Sequence, residues 1–220
     1  MIINGYYSIN TESGKGIKAG DNIYIGIKNY DNNNYDNNYY YCDKNNYYCY
    51  EGNLIINIIT SEIGIEAKGL EISKGNIKIT TKGDGIKAFN DNENENCFGN
   101  CSCFIKFYDE NLNINSEENG LNSNGDIFIF PSGHYIILGG LEKHYHPIMQ
   151  KGILNIKGAT IFVGGSYEGI NASTPQFHSS FIKDFNPGTN IKIYDNEENI
   201  YIKNMKIKKK LEYIYFSFWK

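Results

Sequence analysis

The sequence predicts an all-β chain wound as a right-handed parallel β-helix, on three observations: a short recurring phrase, the alternation around it, and the turn residues that punctuate it. The phrase is glycine, branched aliphatic, spacer, small residue. It occurs as Gly16-Ile17-Lys18-Ala19, Gly64-Ile65-Glu66-Ala67, Gly85-Ile86-Lys87-Ala88, Gly120-Leu121-Asn122-Ser123 and Gly169-Ile170-Asn171-Ala172. Repetition on this scale marks one supersecondary unit stacked on itself, because a single unit cannot bury its own apolar face.

The clearest unit runs from Gly64 to Gly85, a period of 21 residues. Three short strands fit inside it, Ile65 to Ala67, Leu70 to Ile72 and Ile77 to Ile79, each bounded by Gly, Asn or Ser. Side chains two apart share a face, so these aliphatic and small residues point inward while Glu66, Glu71 and Lys78 point out. Three strands and three turns make one coil of about three short strands. A leucine-rich repeat would need a sustained Leu frame, and this chain is built on Ile.

Longer gaps between copies read as insertions near 29–50, 90–103 and 139–150, within one β-helix domain over 1–180. The last strand signals, from Phe181 onward, read as a C-terminal β cap over 181–220 that covers the final coil, since an open end is an exposed edge. Lys208-Lys209-Lys210 sits in one of its turns.

Composition bounds the partners. The net charge is −4, all 21 basic residues are Lys, and the two signs are interspersed, which gives no electrostatic footprint for nucleic acid. No apolar run reaches the roughly 20 residues of a membrane-spanning helix, and Met1 to Gly5 lacks the basic start and apolar run of a signal peptide. Such a start fits a cytosolic protein or one module of a longer chain. Cysteine usage favours secretion: Cys42 and Cys49 sit in one insertion, Cys97, Cys101 and Cys103 in another, where disulfides help loops that cannot build a core. Zinc is the rival for Cys97-x3-Cys101-x-Cys103, with a fourth ligand lacking. The odd count leaves one thiol over.

Acidic residues cluster around the phrase: Glu62, Glu66, Asp84, Glu117, Glu118 and Glu168, with Asp126 in a following turn. Stacked in successive coils about 4.8 Å apart, they are expected to form a column on one edge. Calcium suits such a column, with Asp84, Glu118, Glu168 and Asp126 as the candidate ligands; the alternative is turn chemistry, in which Asp and Asn precede Gly for backbone reasons. Hydrolysis of a glycosidic bond needs paired carboxylates on neighbouring strands, and the chain offers no Asp-Asp pair, so it is read as a non-enzyme. His144-Tyr145-His146 is read as a surface loop. Tyr39, Tyr40, Tyr41, Tyr47, Tyr48 and Tyr50 crowd one insertion and are the candidate partner-binding residues, because Tyr offers contact area with a polar tip at low entropy cost; covering the wall as a lid is their other reading.

The stretch Gly64 to Ile79 and the phrase Gly83-Asp84-Gly85-Ile86-Lys87-Ala88 resemble the clostridial calcium-dependent, carbohydrate-binding parallel β-helix family, over roughly residues 14 to 172. The Arg-free, Asn- and Tyr-rich composition with cysteine-bearing insertions is further similar to the repeated cohesin-like modules of anaerobic gut-fungal scaffoldins. The resemblance implies a monomeric, extracellular, non-catalytic module of a longer secreted protein, with structural calcium as its one expected cofactor. Its first expected partner is the dockerin of a cellulosomal enzyme, and its second is plant cell-wall polysaccharide, pectin or cellulose.

Overall fold

The chain is all-β. The computed structural model describes residues 1–3, 5–26, 54–90, 102–130, 133–140, 144–156, 159–165, 179–194, 200–206 and 210–217, and among these there is no helix. In chain order the strands are β1 (Ile2–Ile3), β2 (Tyr6–Asn10), β3 (Ile17–Lys18), β4 (Ile23–Ile25), β5 (Ile55–Thr60), β6 (Ile65–Ala67), β7 (Gly69–Thr81), β8 (Ile86–Ala88), β9 (Phe104–Ser116) and β10 (Leu121–Ser123). They continue as β11 (Asp126–Ile129), β12 (His134–Leu138), β13 (Ile148–Gln150), β14 (Leu154–Ile156), β15 (Thr160–Gly165), β16 (Ser179–Phe185), β17 (Asn190–Tyr194), β18 (Ile200–Lys206) and β19 (Leu211–Ser217).

Pairing is parallel throughout β1 to β15. Twelve strands make one sheet with two wings, because β7 and β9 each run through both. Wing one follows the order β1-β4-β7-β9-β11-β14, and wing two β2-β5-β7-β9-β12-β15-β19-β16. A separate five-stranded sheet runs β13-β10-β8-β6-β3. The short strands expected at 70–72 and 77–79 are thus the two halves of β7. Gly75, with φ of +136°, marks the passage between them, a backbone conformation that favours glycine.

The register explains the choice of residues. Ile23, Leu70, Ile105, Ile127 and Leu154 line up across wing one, and Ile58, Ile79, Ile114, Ile137 and Val163 across wing two. All are buried, and they join Ile17, Ile65, Ile86, Leu121 and Ile148 of the five-stranded sheet in one contiguous core. β-branched side chains suit this pleated interior, and each fully buried one contributes roughly 1.5–3 kcal/mol relative to exposure.

Glycine opens the phrase because the next strand approaches closely. A Cβ on Gly64 would run into the Gly85 carbonyl and Ile79, one on Gly85 into the Gly120 carbonyl and Ile114, and one on Gly120 into the Pro147 carbonyl and Ile137. Four positions earlier stands a hydroxyl, Thr60, Thr81 or Ser116. Thr60 Oγ1 donates to the Gly14 carbonyl and Thr81 Oγ1 to the Glu62 carbonyl, while the Gly83 amide donates back to Thr81 Oγ1 at 3.2 Å. These hydroxyls satisfy backbone groups that the turn would otherwise bury unpaired.

Two expectations change. The stretch 139–150 does not stay outside the sheets, since Ile148–Gln150 is β13, in register with Leu121–Ser123. Pro147-Ile148-Met149-Gln150 therefore occupies the phrase's position without resembling it. Beyond β15 the chain does more than close an edge. β19 pairs antiparallel with β15, β16 pairs with β19, and Ile191 packs with Phe162, Leu211 and Ile214 in a second cluster beside Ile136 and Leu138.

Candidate functional site

Asp84 precedes the glycine of its phrase, and the register places Asn119 and then His146 at the equivalent positions. The Asp84 carboxylate, 4 % exposed, accepts from the Asn119 amide N–H at 3.1 Å, from Asn119 Nδ2 at 2.7 Å and from Asn122 Nδ2 at 2.8 Å. The His146 backbone N–H donates in turn to Asn119 Oδ1 at 2.8 Å. A carboxylate so supplied is held by amide donors alone. Calcium wants six to eight oxygens, and here both Asp84 oxygens are engaged by amide donors. Among the described residues no three His, Cys, Asp or Glu side chains come together.

The other acids fall in different rows. Glu62 and Glu118 lie two residues before their glycines, with Gly83 between them in register, and Glu118 accepts from the Tyr145 hydroxyl at 3.2 Å. Asp126 opens β11 and accepts from the Ile153 amide at 2.8 Å. Glu66 holds the spacer position, 2.7 Å from the Lys15 ammonium and 3.1 Å from that of Lys18. Burial alone would raise its carboxyl; the two lysines more than offset this and leave it below the usual carboxylate range. The expected single column of carboxylates is therefore split by the register. Glu168, Tyr39, Tyr40, Tyr41, Tyr47, Tyr48, Tyr50, Cys42, Cys49, Cys97 and Cys101 lie outside the described residues. Cys103 is buried in the core.

Wing one carries aromatics on its outer face. Tyr108 and Phe130 stack at 4.7 Å with 6° between their planes, Phe128 stands 6.2 Å from Phe130, and the Lys106 ammonium caps the Phe104 ring at 4.8 Å. Beside them, burial raises the Glu71 carboxyl, and Lys106 offsets only part of that rise.

Wing two carries a groove. Its volume is about 300 Å³, and it runs across β5, β7, β9 and β12. Two outward rows flank it: Ile55, Asn76, Asn111 and His134 in one, Asn57, Lys78, Asn113 and Ile136 in the other. Ile77 and Leu112 complete the lining, which among the described residues contains no carboxylate. Side-chain amides present both donors and acceptors, and aliphatic groups between them offer an apolar surface. Such a surface suits an extended, hydroxyl-rich ligand lying across the strands.

Sequence reasoning missed this groove. Its signal was present in Asn76-Ile77-Lys78-Ile79 and Asn111-Leu112-Asn113-Ile114, where a polar pair brackets one buried aliphatic in the same strand position. Compared with known proteins, the chain matches no family model, no curated protein and no solved structure.

Proposed function

We propose that the chain is a non-catalytic extracellular binding module, coiled as a right-handed parallel β-helix, that takes a plant cell-wall polysaccharide in the groove of wing two. The coil is supported by parallel pairing at recurring register, and its hand by the strong right-handed preference of parallel crossovers. The groove itself carries the functional reading: four asparagines, one lysine and one histidine line an open trough together with Ile55, Ile77, Leu112 and Ile136, and no carboxylate joins them among the described residues.

A second reading, a scaffoldin cohesin that holds dockerin-bearing enzymes, draws on the outer face of wing one. There Phe104, Tyr108, Phe128 and Phe130 lie close together, aromatic residues of the kind protein interfaces are enriched in, with Lys106 and Glu71 beside them. Titration calorimetry separates the two. Wild-type protein and the Asn76→Ala/Asn111→Ala variant are titrated with polygalacturonate, soluble cellulose oligomers and a fungal dockerin, each with calcium and with chelator. The groove reading expects saturable binding to a glycan that the double variant loses. Binding to dockerin alone, unchanged in the variant, replaces it with the cohesin reading.

A further inference from the structure

Behind the groove floor lies a carboxyl that nothing above uses. Glu110 adjoins Asn111 and Leu112 of the groove, yet faces the opposite way and is 2 % exposed. Its register partner on β7 is Gly75, which brings no side chain. One carboxyl oxygen accepts from the Tyr108 amide at 3.0 Å; the other has no bond of ordinary geometry, although the nearby Tyr135 hydroxyl acts on the carboxyl as a donor and offsets part of its rise. The Tyr135 hydroxyl, on the inner face of β12, is also buried without a hydrogen bond of ordinary geometry. Its ring stacks on Phe107 at 5.7 Å, and Gly133 beside the hydroxyl leaves no room for a Cβ.

Among the described residues no cation acts on the Glu110 carboxyl. Asp109 and Tyr135 are the titratable groups that act on Glu110, and neither is positive. On β7, Lys74 is exposed and registers with Asp109; on β12, His134 lies on the groove side, in register with Asn111. We propose that Glu110 makes the groove responsive to pH: neutral, it leaves β9 and β12 closed behind the groove, and charged, it loosens them and weakens the groove's hold on its ligand. The coupling to ligand rests on the groove being the binding site. Burial, more than any neighbour, pushes the Glu110 carboxyl well above its ordinary value, and burial followed by the Glu110 charge pushes the Tyr135 phenol up. A group raised on folding adds stability below its unfolded value, about 4.3, and that stability is lost as pH rises through the folded value.

The test compares wild type with Glu110→Gln in urea unfolding from pH 5 to 9, with amide hydrogen exchange read at residues 110–114 and 134–137. Over the pH range between the unfolded and folded values, the wild-type unfolding constant should rise by up to tenfold per pH unit more than that of the variant. Exchange in the two segments should accelerate with pH beyond its chemical trend in wild type alone. Equal slopes in the two proteins would overturn the proposal. Should Glu110→Gln not fold, infrared spectra of wild type labelled with 13C-glutamate decide, with Glu71→Gln as control: a protonated carboxyl band at pH 7 that survives in the control supports the proposal, and its absence sinks it. Glycan titrations at pH 5 and 8 read the coupling. Failure to bind at either pH would remove the groove reading while the unfolding and exchange results still judge Glu110.

Discussion

The two wings share β7, β9 and one aliphatic interior, but their outer faces differ in what each side chain meets in the next strand. On wing one the aromatic faces are largely taken: Tyr108 lies on Phe130, and Phe104 lies over the Gly69 position with Lys106 across its ring. On wing two asparagine follows asparagine, and the rows stand apart around a trough. Aromatic content alone thus does not say how much of a face is open to a ligand. Rings that stack on one another stabilise the wall, while amides that do not pack leave their hydrogen-bonding capacity for a ligand.

The comparison breaks most severely at the corner where wing two gives way to the five-stranded sheet. Asp84→Ala leaves two buried donors and one partly buried donor without their acceptor and should cost about 3 kcal/mol in urea unfolding, through a single transition seen by probes of either wing. Loss of one wing alone would show that they do not share a frame. Chelator should leave the wild-type melting temperature unchanged, because amide donors already satisfy Asp84; a fall would restore a cation to this corner.

Smaller changes sharpen it. Phe130→Ala should cost about 1 kcal/mol by removing a stacked pair, with ligand binding retained. Asn76→Ala/Asn111→Ala should move stability by no more than about 0.5 kcal/mol per site while glycan affinity falls at least tenfold by calorimetry. The mirror-image result would move the site to wing one. Least of all, Glu66→Gln should cost under about 1 kcal/mol, since the ion pairs are partly solvated. Its folded value is depressed, so that contribution is present above the unfolded value and is lost as pH falls through the folded one; melting curves at pH 3 and 7 check the sign.

Much of the strand pattern was legible because alternation is local. Ile65 and Ala67, or Ile77 and Ile79, announce their inward face within three residues. What was illegible depends on register. Pro147-Ile148-Met149-Gln150 hides a strand of the five-stranded sheet, since neither its first nor its last residue matches the phrase. Asp84 was visible as an acid before glycine, but its donors are Asn119 and Asn122, far along the chain, so the hydrogen bonds it accepts could not be read from local spacing. Glu62, Glu66 and Asp84 looked like one column because their offsets from glycine were not distinguished. The groove needed two rows aligned across β5, β7, β9 and β12, which alternation within one strand cannot convey.

The glycine positions meet in one column although the chain between them has very different lengths: 48 residues from Gly16 to Gly64, 21 to Gly85, 35 to Gly120 and 27 to Pro147. The frame therefore counts arrivals and ignores contour length. Lengthening a flexible excursion costs only about 0.6 kcal/mol per doubling, far less than one misplaced isoleucine inside. A frame of this kind tolerates insertions and deletions between its anchoring positions as long as the chain returns to the same row.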